Sequence, residues 1–156
     1  MSEEIKIRRA TREDLPEIVR MFCEDDILGG NEEYSDPLLD GYIQGFEAID
    51  RDENHLLIVA EIGEKIVGTL QITFIPGIIY KGGSRALIEA VMVDKNSRSY
   101  GIGNQMMRWA IEKAKEKKCR LVQLTSNKKR LEAHKFYGRL DFIATHEGFK
   151  LDLGKL

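Results

Sequence analysis

Residues 94–107, DKNSRSYGIGNQMM, lead from a polar loop directly into an apolar helical pattern. The preceding residues 85–93, RALIEAVMV, carry apolar side chains on both faces, as expected of a central strand in a sheet. After the loop, apolar residues recur at helical spacing from Ile102 to Ala114. A helix N-terminus exposes unpaired N–H groups and a partial positive charge, so a glycine-rich loop here favours binding of an anion. A structural turn is the alternative interpretation.

The loop has the spacing Arg-x-x-Gly-x-Gly, formed by Arg98, Gly101 and Gly103. It is not the dinucleotide fingerprint, because Met106 occupies the third glycine position, and the chain contains no Gly-Lys-Ser/Thr of a Walker loop. Arg98 adds a charge that can hold a phosphate through two hydrogen bonds. The place of the loop, after a buried strand and before a helix, is where an anion site is expected, and a plain turn stays the alternative.

Working outward from the loop, the periodicity predicts strands at residues 5–8, 56–62, 66–75, 85–93, 121–125, 142–145 and 149–153. The predicted helices are residues 11–22, 38–49, 101–117 and 131–140. Thr11 and Asp14 predict a capping box at the start of the first helix. Residues 87–125 form a βαβ unit, so its two strands are parallel. We therefore predict an α/β (α+β) fold in a single domain, residues 1–156. Its mixed, mostly antiparallel sheet has about seven strands, a central parallel βαβ pair and helices on both faces.

The composition of the chain limits its partners. The 156 residues include 24 basic and 26 acidic side chains, and the net charge of -2 does not favour nucleic acid or an anionic membrane as a partner. Cys23 and Cys119 are too few for a disulfide framework and are not spaced as a metal site. The chain shows no signal-peptide pattern and no apolar run of about 20 residues. We therefore predict a cytoplasmic protein that needs no metal.

Three segments, taken in order, resemble the GNAT superfamily of acetyl-CoA-dependent N-acetyltransferases. Residues 88–107 resemble its strand, pyrophosphate loop and helix, with the pattern Gln/Arg-x-x-Gly-x-Gly/Ala. Residues 121–127, LVQLTSN, are similar to the strand that splays from its neighbour to admit the pantetheine arm. Residues 133–142, AHKFYGRLDF, resemble the Ala-x-x-Phe-Tyr-x-x-x-Gly-Phe segment, although Asp141 stands where glycine is usual. The resemblance implies the GNAT fold and an N-acetyltransferase.

The resemblance also implies how the cosubstrate acetyl-CoA is bound. Backbone groups of Met92 and Val93 would hydrogen-bond the pantetheine, and a bulge in their strand would free the N–H groups. Asn127 would contact the cofactor arm or, alternatively, only cap the helix after it. The pyrophosphate would lie on the N–H groups of Arg98, Ser99, Tyr100, Gly101, Ile102 and Gly103. Residues 128–130, Lys-Lys-Arg, are either a solvated face or the contact for the 3′-phosphate.

Two residues are implied as base and acid. Glu89 would receive the proton of the incoming amine, directly or through water, and Tyr137 would protonate the leaving thiolate. The amine would attack the thioester directly, without a covalent enzyme intermediate. A carboxylate in an apolar strand is costly unless it is paired or used, so Glu89 is alternatively a salt-bridged structural group. Tyr137 shares an apolar stripe with Phe136 and is alternatively part of the core.

The predicted acceptor is a primary amine of a small molecule or peptide. A polar loop between the first two helices would attract a cationic amine or, alternatively, is a plain solvated surface. Its carboxylates are Glu24, Asp25, Asp26, Glu32, Glu33 and Asp36. Residues 125–137 are also similar to aminoalkylphosphonate N-acetyltransferases, but an acidic loop does not suit a phosphonate. Pairing of the last strands across two chains suggests a homodimer.

The alternative function is an acyl-CoA-binding regulatory module that has lost turnover. Glu89 and Tyr137 distinguish the two functions, because a module that only binds needs neither. A generic nucleotide-binding α/β protein is disfavoured, because the sequence has neither a Walker nor a Rossmann pattern.

Overall fold

Five strands form the sheet of the structure, a computed structural model that describes residues 4–155. The strands are β1 (Ile5–Arg9), β2 (His55–Ile62), β3 (Lys65–Ile75), β4 (Arg85–Val93) and β5 (Leu121–Leu124), in that spatial order. Neighbours from β1 to β4 pair antiparallel, and β5 lies parallel to β4. The predicted mixed sheet with a parallel βαβ pair is confirmed. The predicted number of about seven strands is wrong.

Helices cover both faces of this sheet. In the first 123 residues they are α1 (Leu15–Cys23), α2 (Asp40–Asp50), the single turn α3 (Ile79–Gly82) and α4 (Ile102–Glu116). α1 and α2 pack on the face that carries Leu57 and Val59. Because side chains alternate along a strand, Ala60 and its partner Gly68 lie on the other face, where Gly68 meets Met106 of α4. Within residues 4–155, no helix is both long and apolar enough to cross a lipid bilayer.

Gly68 lets α4 lie close to β3. A Cβ atom at this position would stand 2.8 Å from Sδ of Met106 and 3.1 Å from the carbonyl oxygen of Met92. Met106 is fully buried in this contact. The absence of a side chain at Gly68 therefore lets α4 pack closely on the sheet. This packing also fixes the position of the loop at residues 94–101, because α4 begins directly after it.

The first helix begins as its sequence predicts. Thr11 and Asp14 form the predicted capping box around a short 3-10 turn, Arg12–Asp14, that leads into α1. Asp14 is 6% exposed and accepts hydrogen bonds of 2.7 and 2.9 Å from the guanidinium group of Arg8. Arg8 also bonds Glu61 on β2, so the start of α1 is tied to the first two strands.

The C-terminal residues 124–155 form a second compact unit. Its helix α5 spans Leu131–Gly138. The helix ends in a Schellman motif, because the N–H of Phe142 bonds the carbonyl of Tyr137 and the N–H of Asp141 bonds that of Gly138. Asp141 holds a left-handed φ of 66°, which is why glycine is usual at this position. The departure from the family pattern thus leaves the turn intact.

The two strands predicted at residues 142–145 and 149–153 are wrong. No strand follows β5 in the described residues, and only a short 3-10 turn, Leu153–Lys155, interrupts the irregular backbone. The apolar side chains of this stretch are exposed: Ile143, Phe149, Leu151 and Leu153. A segment with alternating apolar residues forms a strand only when a neighbouring strand pairs with its backbone N–H and C=O groups. The periodicity of the sequence does not show whether such a neighbour exists. The homodimer rested on these strands and stays a prediction.

Candidate active site

The loop between β4 and α4 bends twice into left-handed backbone. It starts with a 3-10 turn, Lys95–Ser97, that is capped by Asp94. Arg98 is extended, with φ −66° and ψ 155°, and the non-glycine residue Ser99 then has φ 74°. Gly101 has φ 74° as the residue that precedes α4. Left-handed Gly101 followed by helical Ile102 turns successive N–H groups toward one side, as in an anion-binding nest.

The first turn of α4 is open to an anion. In the described part of the chain, no side chain caps this helix and its first turn contains no acidic residue. The first N–H groups of a helix have no partner within it, so they remain available to a ligand. A Cβ at Gly101 would meet no atom within 4 Å, so glycine is required here by its φ and not by a lack of space.

A β-bulge interrupts β4 just before Met92 and Val93. Thr69 of β3 pairs with Met92 and Gln71 pairs with Glu89, so Ala90 and Val91 together oppose the single residue Leu70. Ala90 has a φ of 52°, which marks the bulged position. The structure therefore contains a bulge in the strand and region where the sequence analysis expects one.

The end of β4, the loop and the end of α1 meet in a small cleft. Its lining residues are Met21, Glu24, Met92, Val93, Asp94, Lys95 and Arg98. Met92 is buried and Arg98 is exposed. The cleft thus joins the three predicted cofactor residues Met92, Val93 and Arg98 to Met21 of α1, which carried no prediction, and to Glu24, a carboxylate of the predicted acidic loop.

Asp94 is a residue of this site that the sequence analysis missed. It is 2% exposed and accepts hydrogen bonds from Ser97, Lys65 and Arg20. Burial acts to raise the pKa of Asp94, but the charge of Lys65 and these hydrogen bonds outweigh it and hold the pKa below its ordinary value. The available signal was its position, since a short acidic residue that follows a buried strand and precedes Lys-Asn-Ser is typical of a cap.

Glu89, the predicted base, is exposed on β4. Its place in an apolar strand is therefore not costly, because Glu89 is exposed one residue before the bulged Ala90. In residues 4–155 it has no hydrogen-bond or ion-pair partner, which argues against the alternative of a salt-bridged structural group. Its role as a base stays a prediction.

Tyr137, the predicted acid, belongs to the second unit. It lies on α5, half-buried, with its ring in edge-to-face contact with Phe136 and Phe142 at centroid distances of 5.2 and 6.0 Å. Burial raises the pKa of Tyr137, with a smaller opposing effect from the charge of Arg130. The phenol therefore keeps its proton throughout the neutral pH range. The predicted contact with Phe136 is present, and it is compatible with both the acid and the core interpretation.

Asn127 organises the turn before α5. Its Oδ1 accepts a hydrogen bond of 2.9 Å from the N–H of Lys129, and its carbonyl accepts one of 2.9 Å from the N–H of Arg130. The residue that precedes α5 is Arg130, so Asn127 shapes the turn without capping the helix directly. Lys128 and Lys129 are exposed. The side-chain NH₂ of Asn127 has no hydrogen-bond partner among the described residues, so it is available to a ligand.

Comparison with known proteins identifies the family. Residues 15–142 match the sequence model of the GNAT acetyltransferases. The chain belongs to the GNAT acetyltransferase family. The match extends over most of the chain and into both compact units. Membership makes the protein an N-acetyltransferase, and the GNAT fold uses acetyl-CoA.

Individual relatives match the chain over most of its length. The aminoalkylphosphonate N-acetyltransferase of Salmonella typhimurium is 28% identical over 145 residues, which cover 92% of this chain and 88% of that protein. The crystal structure of a transcriptional regulator from Bacillus halodurans matches with a TM-score of 0.95 and 45% identity, over 96% of this chain and 100% of that chain. A predicted acetyltransferase from Clostridium acetobutylicum, crystallised with acetyl-CoA, shares the fold with a TM-score of 0.72 at 22% identity, over 98% of this GNAT chain and 99% of that chain.

Proposed function

We propose that the protein transfers an acetyl group from acetyl-CoA to a primary amine of a small molecule or peptide by direct attack. The observation that carries this proposal is the anion-binding geometry at the start of α4. Ser99 and Gly101 are left-handed, and in the described residues the helix that follows is uncapped and free of acidic side chains in its first turn. Phosphate groups of a nucleotide cosubstrate suit such a helix terminus.

The cofactor would be held along the cleft and the loop. N–H groups from Arg98 to Gly103 would donate to the pyrophosphate, and the guanidinium group of Arg98 is exposed and available as a counter-charge. Backbone groups of Met92 and Val93, next to the bulge, would bond the pantetheine arm. Asn127 would contribute its side-chain amide, and residues 128–130 would face the 3′-phosphate.

The proton transfers need one base and one acid. A neutral amine nitrogen forms the new bond to the acetyl carbon as the bond from that carbon to sulfur breaks. Glu89 would take the proton that the amine nitrogen loses, and Tyr137 would supply one to the departing sulfur. N–H groups at Met92 and Val93 would polarise the acetyl carbonyl as an oxyanion hole does.

Three of the six carboxylates in the acidic loop are engaged with other groups of the protein, which leaves fewer of them to attract a cationic acceptor. Asp25 is buried and bonds the N–H groups of Ile27 and Leu28, and Glu32 accepts a hydrogen bond from the hydroxyl of Tyr42. Glu24 pairs with Arg20 and Lys95. Glu24 is exposed as well, but among the described residues the exposed carboxylates of this loop that form no ion pair are Asp26, Glu33 and Asp36. We propose that these three favour an amine without an anionic group, in contrast to the aminoalkylphosphonate substrate named for the Salmonella relative.

A CoA-release assay over a panel of acceptors tests this function. The panel contains polyamines, amino sugars, peptide amines and an aminoalkylphosphonate, with acetyl-CoA as the donor. Acetylation of one or more acceptors is expected, with Glu89→Gln reduced by about 10²–10⁴-fold in kcat. The matched control is Glu112→Gln on the exposed side of α4, which should keep full activity. A preference for the phosphonate would contradict the cationic acceptor but not the transferase.

A second candidate is an acyl-CoA-binding regulatory module. It is favoured by the 45% identical structural neighbour from Bacillus halodurans, which is named as a transcriptional regulator and is matched over its whole chain. Such a module would bind acetyl-CoA and release no CoA with any acceptor, so the same panel decides between the two candidates.

A further inference from the structure

Asp94 is the buried charge at which the loop of the cofactor site begins. Its carboxylate accepts hydrogen bonds of 3.2 Å from the N–H of Asn96 and the hydroxyl of Ser97. Nζ of Lys65 and Nη2 of Arg20 each approach it to 3.4 Å. Its own N–H bonds the carbonyl of Val67 at 2.9 Å. One carboxylate thus joins the loop to both α1 and β3.

A second contact ties the same part of the loop to α1. Nζ of Lys95 lies 3.8 Å from Oε2 of Glu24, and Glu24 is paired with Arg20. Arg20 therefore connects the two contacts, since it bonds both Asp94 and Glu24. The first two residues of the loop are held to one helix by a network of two carboxylates and two cations.

The other end of the loop is held by an apolar side chain. Ile102, the first residue of α4, is 1% exposed. Between the two ends, residues 98–101 are exposed, and in the described part of the chain their side chains make no hydrogen bond or ion pair. The N–H groups proposed to bind a phosphate thus lie between two fixed points. One is the hydrogen-bonded carboxylate of Asp94, and the other is the buried side chain of Ile102.

We propose that Asp94 is a positioning residue for acetyl-CoA. It holds the loop in the binding geometry before the cofactor arrives, which spares the cost of ordering the loop on binding. This inference rests on the proposed function, because it assigns Asp94 to the same cofactor loop. When only a fraction of the molecules is competent to bind, the apparent Kd rises by the inverse of that fraction.

The test compares Asp94→Asn with Asp14→Asn. Asp14 is a matched control, because it is also a buried aspartate that belongs to the capping box of a 3-10 turn and bonds an arginine. It lies before α1, and among the described residues its carboxylate bonds Arg8 and Thr11 and no residue of the loop. The Asp94→Asn substitution keeps an oxygen acceptor on a side chain of the same size and removes the charge that holds Lys65 and Arg20. Lys65→Met removes a single donor and serves as the second variant if Asp94→Asn does not fold.

Two measurements are made on each full-length variant. Hydrogen exchange of the backbone amides at residues 95–103 is recorded without cofactor, and the Kd for CoA is measured by titration calorimetry. In the Asp94→Asn variant, the backbone amides of this loop should exchange faster than in the wild type. The Kd for CoA should rise about 10-fold, as expected if about a tenth of the molecules hold the loop in the binding conformation. In the acetylation assay the variant's KM for acetyl-CoA should rise by the same factor with kcat nearly unchanged. Lys65→Met should show a smaller effect in the same direction.

The possible outcomes separate the inference from the proposed function. If Asp14→Asn weakens CoA binding as much as Asp94→Asn does, the effect is general loss of stability and the positioning role is overturned. It is equally overturned if the wild-type protein binds CoA and neither Asp94→Asn nor Lys65→Met changes the Kd. A wild-type protein that binds no CoA would overturn the proposed function, and the inference with it.

Discussion

Three residues other than glycine hold left-handed backbone in segments that carry predicted site residues. Ala90 forms the bulge before Met92, Ser99 turns the cofactor loop, and Asp141 ends the helix that carries Tyr137. Left-handed backbone costs an ordinary L-residue about 1–2 kcal/mol, so its neighbours must hold it in place. Residue type did not reveal Ala90 or Ser99 in advance, because neither is a residue that favours positive φ.

Asp141→Gly should stabilise the protein. Glycine adopts the φ of 66° without steric cost, and the two backbone hydrogen bonds of the Schellman motif remain. After allowance for the greater freedom of glycine in the unfolded chain, we expect a gain of about 0.5–1 kcal/mol in the free energy of unfolding. Urea denaturation measures it, with Asp141→Ala as the control that should lose stability. A loss for glycine as well would show that the aspartate side chain stabilises the turn.

Tyr137→Phe should lower kcat and leave the fold and the cofactor affinity unchanged. Phenylalanine keeps the ring contacts with Phe136 and Phe142 and removes only the hydroxyl that we propose as the acid. Loss of general acid catalysis is expected to reduce kcat by about 10²–10⁴-fold. Steady-state kinetics, CoA titration and the melting temperature are measured together. Equal losses in kcat and in CoA affinity would assign Tyr137 to the core.

The pH dependence of the wild-type enzyme follows from the same phenol. Burial raises the pKa of Tyr137 above its ordinary value near 10, and a phenol with a raised pKa is protonated below that value. The acid form is therefore present across the neutral range, and its loss should begin only above about pH 10. A kcat that falls between pH 7 and 9 would contradict Tyr137 as the acid.

At the scale of elements, local signals predicted most boundaries well. The run of apolar residues at 85–93 coincides with β4, and the helix predicted at 101–117 is observed as Ile102–Glu116. These elements carry their own start and stop signals, such as Gly101 before α4. The elements that failed, residues 142–145 and 149–153, have the strand pattern and no strand partner in the described structure.

Gly68→Ala should displace α4 and lower stability. The added Cβ would lie 2.8 Å from Sδ of Met106 and 3.1 Å from the Met92 carbonyl, which is backbone and does not move freely. Overpacking of this kind costs about 1–3 kcal/mol of unfolding free energy. Since the first turn of α4 belongs to the proposed cofactor site, the KM for acetyl-CoA should rise as well. Unfolding and steady-state kinetics check both effects.

Gly45→Ala provides the matched control for that substitution. Gly45 lies exposed in the middle of α2, and a Cβ there would meet nothing within 4 Å. Alanine in a helix interior is favoured over glycine by about 0.5–1 kcal/mol, so this variant should gain stability. If both alanine variants lose stability equally, close packing at Gly68 is not the cause.

At the scale of the whole molecule, two buried aspartates, Asp14 and Asp94, make the free energy of unfolding fall as the pH becomes acidic. Interactions with Arg8 and Thr11 hold the pKa of Asp14 below its ordinary value against the opposing effect of burial, and the pKa of Asp94 is lowered as described above. A carboxylate with a lowered folded pKa stabilises the protein above its unfolded pKa, near 3.8. That contribution is lost as the pH falls through the folded value.

The double variant Asp14→Asn/Asp94→Asn should therefore respond differently to acid. At pH 7 it should melt below the wild type, because two charged interactions are missing. Between about pH 5 and pH 2 the wild type should lose stability more steeply than the variant, so the two melting temperatures converge. Melting curves at several pH values measure this, and parallel curves would show that neither aspartate contributes through its charge.

The sequence by itself predicted the family and the mixed sheet, which are confirmed, as well as the loop proposed to bind the cofactor and the residues proposed for catalysis. Each depends on neighbours in the chain, because helical and strand periods, caps and the Arg98–Gly103 spacing are local. Only the tertiary structure showed the contacts of Asp94, whose charge partners Lys65 and Arg20 stand 29 and 74 positions away in the sequence. It also decided the exposure of Glu89, the close approach at Gly68 and the missing final strands. These depend on which distant surfaces come together, and no local pattern of residues specifies that.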